Sequence, residues 1–296
     1  MLGIIIVNYK SEKETVNYIN TELSKITSPN KIVIVNNSSS IESNRFFIKE
    51  LRTFPAKNNN IDKKFNIFLL SPNENLGFAK ANNLGATFLM NHFNIEYLLF
   101  TNSDIVFSDN DVVESLISKA VTDDKIGGIG PRVAGKNDIF QSPHEEISFY
   151  RYFGWYLLKP LKGNVSLLRK NTSEKTQRNF QTAHYCYWVS GCFMIVKAEV
   201  FFNAGMFDSK TFLYSEEKIL AERFLRIGKK FYFEPHTGVI HKQGATTSKH
   251  LKELEIKEMI FKNDCYYYKT YRGIPDYLIW TLRLIRKFRQ KIKREN

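Results

Sequence analysis

Four short polar loops in this 296-residue chain each follow an apolar run, and they hold many of the side chains able to bind or activate a small molecule. They are Asn8-Tyr9, Asn36-Asn37-Ser38-Ser39, Asn73-Glu-Asn75 and Thr101-Asn-Ser-Asp104. Asp104 is the single carboxylate of its loop and directly follows an apolar run, where a carboxylate can ligate a cation. His241 also ends an apolar run; a lone histidine there is more often structural than a ligand. Glu216 and Glu217 form an adjacent pair at the start of a helical stretch. Two neighbouring carboxylates raise each other's pKa toward the range useful for proton transfer. They also suit the positive end of a helix dipole, which accounts for their placement without any catalysis. Asn and Ser make good turns and caps, so no single loop establishes a site.

None of these loops carries a Walker or GxGxxG signature, which disfavours a P-loop NTPase and a dinucleotide dehydrogenase. The elements that must position them are legible from periodicity. Gly3–Val7, Lys31–Val35, Phe65–Leu70 and Tyr97–Phe100 read as strands, followed by helical patterns over Glu12–Leu23, Ile41–Leu51, Phe78–Asn91 and Asp111–Ala120. Such alternation predicts a mostly parallel α/β sheet flanked by helices, with ligands outside the carboxyl ends of the strands. Farther along, Trp188–Val196 reads as a strand, Ala198–Asn203 and Glu216–Ile227 as helices, and Lys230–Phe233 and Gly238–His241 as two short strands. Between them, Asp138–Thr182 is aromatic and basic without clear periodicity, and is expected to be a mobile insertion over the active face. Lys57–Lys64 reads as a surface loop.

Composition sets further bounds. At 43% hydrophobic residues the chain can bury one large core or two modest ones, and Lys plus Arg exceed Asp plus Glu by 43 to 30, a formal charge of +13. That excess suits an anionic partner. Cys186, Cys192 and Cys265 form no CxxC pair, which argues against a disulfide framework or structural zinc and fits a reducing compartment. The apolar opening lacks a basic n-region and breaks at Asn8-Tyr9-Lys10, so it reads as a strand and not as a signal peptide. No run reaches the ~18 apolar residues of a membrane span. After a break at Gly273-Ile-Pro275, a terminal helix carries Leu278, Leu282, Ile285, Phe288 and Ile292 near one face, with Lys and Arg filling the rest. A basic amphipathic helix of this kind is expected to lie on an anionic membrane surface.

Taken in order, seven segments resemble the motifs of glycosyltransferase family 2, in its bacterial polysaccharide, rhamnosyltransferase-like branch. They are Ile4-Ile-Ile-Val-Asn-Tyr9, Ile34-Val-Asn-Asn-Ser-Ser39, Asn75-Leu-Gly-Phe-Ala-Lys-Ala-Asn-Asn83, Thr101-Asn-Ser-Asp104, Val189-Ser-Gly191, the block from Gly205-Met-Phe-Asp208 through Glu216-Glu217 to Arg223 and Gly228, and Val239-Ile-His241. The resemblance covers roughly residues 3–248 and implies a GT-A (Rossmann-like) α/β fold. Residues 1–135 would form the donor half and 136–248 the acceptor and catalytic half, with a helical basic tail over 249–296.

The resemblance also implies roles. Asn8, Tyr9, Asn36, Asn75, Gly77, Lys80, Asn83, Asn102 and Ser103 would bind a UDP- or dTDP-linked sugar. Asp104 and His241 would hold Mn2+ or Mg2+, whose charge stabilises a departing diphosphate. Trp188, Ser190, Gly191 and Arg223 would face the acceptor, with Glu217 as base and Glu216 positioning the acceptor or the base. The reaction implied is an inverting transfer to a hydroxyl of a lipid-linked or capsule or O-antigen type glycan, at the inner face of a bacterial membrane. Three departures stand out: Asn36 replaces the usual Asp, Asn-Ser-Asp replaces Asp-x-Asp, and Glu217 replaces the commoner Asp. The alternatives are an inactive GT-A partner subunit, suggested by the reduced metal motif, and a nucleic-acid-binding protein. The second is disfavoured, because the charge concentrates in a tail helix with an apolar face and no nucleic-acid motif is present.

Overall fold

Strand β1 (Leu2–Asn8) is apolar on consecutive residues because both its faces are covered. Ile4 and Ile6 point into one buried cluster and Ile5 into another, as the two-residue period of a strand requires. The structure, a computed structural model, describes residues 1–56, 61–135, 140–158, 180–242 and 253–295. Parts of the expected Lys57–Lys64 loop and Asp138–Thr182 insertion lie outside the described residues.

Around β1 the sheet grows in both directions. β2 (Asn30–Asn36) and β5 (Tyr97–Thr101) flank it in parallel; β4 (Ile67–Leu70) and the short β3 (Phe54–Pro55) extend beyond β2, also in parallel. The crossovers are helices α1 (Glu12–Thr21), α2 (Ile41–Leu51) and α3 (Gly77–His92). On the other side of β5 the direction changes. β9 (Phe193–Lys197) runs antiparallel to both β5 and β7 (Ile126–Ala134), and β10 (Lys230–His241) is parallel to β7. β6 (Ile105–Phe107) and β8 (His184–Cys186) pair antiparallel with β10. The order is β3-β4-β2-β1-β5-β9-β7-β10-β6, so the expected parallel sheet holds for its first half and becomes mixed in the second. α1, α2 and α4 (Val112–Val121) cover one face, while α3, α6 (Ala198–Asn203) and α7 (Glu216–Arg226) cover the other.

Three local expectations change. The expected strand from Trp188 begins only at Phe193: Trp188 makes an isolated bridge to His144, and Gly191-Cys192 turn into β9, closed by the Phe193 N–H donating to the Ser190 carbonyl at 3.3 Å. β10 is one strand and not two; its register shifts between Glu234 and Gly238, where Pro235 cannot donate a ladder bond. Within the aperiodic middle, Phe149–Leu158 is a helix (α5). Its aromatic residues are indifferent helix formers, and their packing against the C-terminal helices stabilises what propensity does not.

Those C-terminal helices, α8 (Glu253–Arg272) and α9 (Asp276–Glu295), meet α5 in a third apolar cluster that includes Phe149, Ile219, Phe261, Tyr267, Ile279 and Leu282. α8 also holds the chain leading into α7. The hydroxyls of Tyr266 and Tyr271 donate to Asp208 Oδ2 at 2.6 and 2.7 Å, and the Asn263 amide donates to the carbonyls of Leu213 and Tyr214. The expected apolar face of the terminal helix is thus largely used internally. Leu282 is buried, Leu278 and Ile285 are half-buried, and only Phe288 stands out in solvent. The Ile292 side chain is outside the described set.

A glycine fixes how the second half of the chain docks on the first. Gly77 has φ +73°, and a Cβ there would overlap the Phe212 carbonyl oxygen, which accepts the Phe78 N–H at 2.7 Å. Gly77→Ala is expected to destabilise the protein by about 2–4 kcal/mol, from left-handed strain plus overpacking. Urea denaturation checks this, and an unchanged midpoint would show that the 205–215 segment adapts freely.

Candidate active site

The carboxyl ends of β1 and β2 hold a closed polar network. Asn8 Nδ2 donates to Asn36 Oδ1 at 2.9 Å, and Asn8 Oδ1 accepts from Ser11 and Thr15, each at 3.1 Å. Asn36 Nδ2 donates to Ser43 Oγ at 2.8 Å and Asn44 Oδ1 at 2.7 Å, while its Oδ1 also accepts the Ser38 N–H. Both asparagines are fully buried with donors and acceptors used, so they shape the floor of the site and do not reach a ligand themselves. Glu12 joins the same network, accepting from Ser43 at 2.6 Å and Ser38 at 3.1 Å. Burial opposes its charge, but hydrogen bonds from Ser43, Ser38 and Asn8 outweigh that and hold its carboxyl below the ordinary value. Tyr9 stays half-exposed above this floor.

The Asn75–Asn83 segment is similarly divided. Asn75 Oδ1 accepts the Gly77 N–H at 2.9 Å, shaping the entry to α3. Asn83 grips the Phe207 backbone from both ends of its amide, at 2.9 and 3.1 Å, so it joins two halves of the fold instead of meeting a donor. Lys80 is exposed on α3, where its ammonium is available to an anion. Arg223 is likewise a structural clamp. Its guanidinium donates to the carbonyls of Gly205 and Met206 and to the Tyr271 hydroxyl.

Asp104 and His241, 137 positions apart, meet because β6 pairs with β10 in a register that sets Ile105 opposite His241. His241 Nε2 lies 3.1 Å from Asp104 Oδ1, both side chains being mostly buried, and 3.4 Å from the Asn102 amide. Nδ1 of the same ring donates to Gln141 Oε1 at 2.9 Å. Burial disfavours a charged ring here, yet Asp104 and the nearby Cys192 prevail and push the imidazole up to about 10. Among the described residues no cluster of three or more His, Cys, Asp or Glu could enclose a metal ion. An oxygen and an imidazole nitrogen converging beside a polar loop nevertheless fit a divalent cation, which would displace the Nε2 proton held by Asp104 and take its remaining ligands from substrate oxygens and water. Ser103 sits half-buried beside them.

The carboxylate pair lies at the same end of the sheet. Asn102 N–H donates to the Cys192 carbonyl at 2.9 Å, which links the Asp104 loop to the turn before β9. One residue earlier, the Gly191 N–H donates to Glu217 Oε1 at 3.1 Å. A Cβ on Gly191 would occupy the position of that oxygen, so glycine is what lets the carboxylate seat there. Burial raises the pKa of both glutamates, and the Glu217 charge adds to the effect on Glu216. Glu216 Oε1 is buried without a partner, whereas Glu217 is stabilised as a carboxylate by Gly191. Of the two, Glu216 is therefore the harder to ionise and Glu217 the easier. Nearby, Trp188 stacks on His144 with ring centroids 3.6 Å apart, and Ser190 Oγ donates to Cys192 Sγ.

Two contributors had no sequence signal. Gln141 falls in the aperiodic middle, a hundred residues from the histidine it holds; Cys192 stands in the sequence only as one of three cysteines without a CxxC partner.

Residues 3–201 match the model of the family described as Glycosyl transferase family 2. A curated relative, the low-salt glycan biosynthesis hexosyltransferase Agl10 of Haloferax volcanii, is 28% identical over 218 residues, 73% of this chain and 59% of that protein. Among solved structures, GalNAc-T7 with UDP, GalNAc and Mn2+ superposes with TM-score 0.56 at 12% identity, over 93% of this chain and 51% of that one. The mannosyltransferase PcManGT from Pyrobaculum calidifontis, in complex with GDP-Man and Mn2+, gives 0.55 at 13% identity, over 90% and 64%. These structural likenesses bear on the fold, which is that of GT-A glycosyltransferases. The chain spans less than two thirds of the length of each of these proteins.

Proposed function

The chain belongs to glycosyltransferase family 2, and on that premise we propose that it is an inverting, metal-dependent transferase. It would move a sugar from a UDP- or dTDP-linked donor to a hydroxyl of a glycan or lipid-linked intermediate. The observation that carries this reading is the meeting, at one end of the sheet, of the Asp104–His241 pair with a Glu217 carboxylate cradled on Gly191.

Each group has a task. Glu217 takes the proton of the acceptor hydroxyl as that oxygen attacks the anomeric carbon. The bond to the nucleoside diphosphate breaks on the opposite face, so configuration inverts and no covalent enzyme intermediate forms. Glu216, the harder of the two to ionise, limits the build-up of a second negative charge beside the base. A divalent cation, Mn2+ or Mg2+, held by Asp104 and His241 would neutralise charge accumulating on the leaving diphosphate. Tyr9 and Lys80, the half-exposed and exposed members of the donor set, would contact the nucleotide and its phosphates. Trp188, Ser190 and Gly191 border the acceptor side. Two relatives described above carry nucleotide or nucleotide sugar with Mn2+, which supports the donor and metal classes.

Membrane-bound acceptors would bring the protein to the inner face of a membrane as a peripheral enzyme. Among the described residues, no helix is long and apolar enough to cross one.

Thermal-shift and calorimetric titration with UDP-, dTDP- and GDP-sugars, with Mn2+ or with chelator, tests the reading. Metal-dependent binding of one nucleotide class supports it; no binding of any class favours an inactive partner subunit. Gln141 provides a finer check. By accepting from Nδ1–H it orients the ring so that Nε2 faces Asp104. Gln141→Leu is expected to weaken Mn2+ binding by about 10–100-fold, the usual cost of losing such a supporting contact. Electron paramagnetic resonance titration measures it directly, and unchanged affinity would remove Gln141 from the site.

A further inference from the structure

Helix α9 uses one side against the protein and presents another, equally apolar, to solvent. Ile279 and Leu282 are 2% and 0% exposed, packed with α5 and α8. On the far side Tyr277, Trp280, Leu284 and Phe288 are 67%, 62%, 43% and 66% exposed. At roughly 100° per residue these four fall within a sector of about 80°, nearly opposite the buried side. Arg283 and Lys287 are exposed along one margin of that sector. From Asp276 to Glu295 the helix carries seven Lys and Arg against two acidic residues.

We propose that this Tyr277–Trp280–Leu284–Phe288 stripe is the surface by which the protein docks on an anionic lipid bilayer. This rests on the membrane-peripheral part of the proposed function and specifies the contact, which is not the Leu278–Leu282 face that amphipathicity alone would select. Tyr and Trp favour the headgroup boundary, where a ring can be buried while its polar tip stays wet. Leu284 and Phe288 supply area that enters the acyl region. Cations along the margin are attracted by acidic headgroups. Charge complementarity selects lipid over a second copy of the chain, because pairing α9 with itself would bring two strongly basic helices together.

Co-sedimentation of the full chain with phosphatidylcholine vesicles, with and without about one third phosphatidylglycerol, tests the inference. The wild type should bind the anionic vesicles and bind the neutral ones at least tenfold more weakly. Trp280→Ser/Phe288→Ser should lose at least tenfold in partition. A control, Ile41→Ser/Val121→Ser, alters exposed apolar residues on the body and should bind as the wild type does. All the substituted positions are exposed, and matching circular dichroism and melting curves confirm that the variants fold. Equal sedimentation of the Trp280/Phe288 variant, or failure of the wild type to bind anionic vesicles, overturns the proposal. So does a lipid-free dimer that this variant dissolves. Donor binding measured on the same samples separates the two readings: vesicle binding without donor binding counts against the transferase alone, and the reverse counts against the membrane face alone.

Discussion

Glu217→Gln should bind donor as the wild type does and transfer sugar roughly a thousandfold more slowly, within the range that general bases contribute. The substitution keeps the volume and the oxygen that accepts the Gly191 N–H, so the turn before β9 is preserved. What is lost is the ability to take a proton. A pH profile adds a test with a definite sign. Burial raises the Glu217 pKa above its ordinary 4.5, and a base works only when ionised. Transfer by the wild type should therefore decline as pH falls through a value above that of an exposed glutamate. The variant should lose this limb of the profile. Normal turnover, or an unchanged acidic limb, would take Glu217 out of the mechanism.

Asp104→Ala should abolish the metal-dependent part of donor binding, an effect of at least a hundredfold, or about 3 kcal/mol. Asp104 is the carboxylate paired with His241, and no group of three or more His, Cys, Asp or Glu stands by to replace it among the described residues. The same variant carries a readout that needs neither metal nor donor. The His241 imidazole lies at about 10 because Asp104, with Cys192, overcomes the cost of burial. Removing that carboxylate leaves burial less opposed, so the ring should titrate lower by nuclear magnetic resonance. Isothermal titration with and without Mn2+ gives the first result. Donor affinity that keeps its full metal dependence would refute the ligand assignment.

Much of this architecture can be read from local pattern. The apolar runs at β1, β2 and β5 and the helical periods between them identify an α/β sheet, because two-sided burial demands uninterrupted apolar strands. Asp104 and the glutamate pair stand out by type and position alone. The mixed second half of the sheet was not legible, since strand direction depends on partners distant in sequence. α5 was missed for a related reason: its aromatic side chains have no preferred period, and the helix depends on α8 and α9 to cover it.

The sequence by itself determined which residue types stand at the strand ends, and with them the family and the chemistry available. Only the tertiary structure decided which of those residues remain free to act. Asn8, Asn36, Asn83 and Arg223 look like ligand-binding groups in the chain, yet their hydrogen-bonding capacity is spent inside the fold. A buried polar group must be satisfied by whatever lies beside it, and adjacency across 124 or 139 positions, as for Asn83 with Phe207 or Asn102 with His241, is set by sheet register. α9 obeys the same rule. Its amphipathic pattern could be read locally, but which apolar face meets the protein and which meets solvent was settled by the packing of α5 and α8.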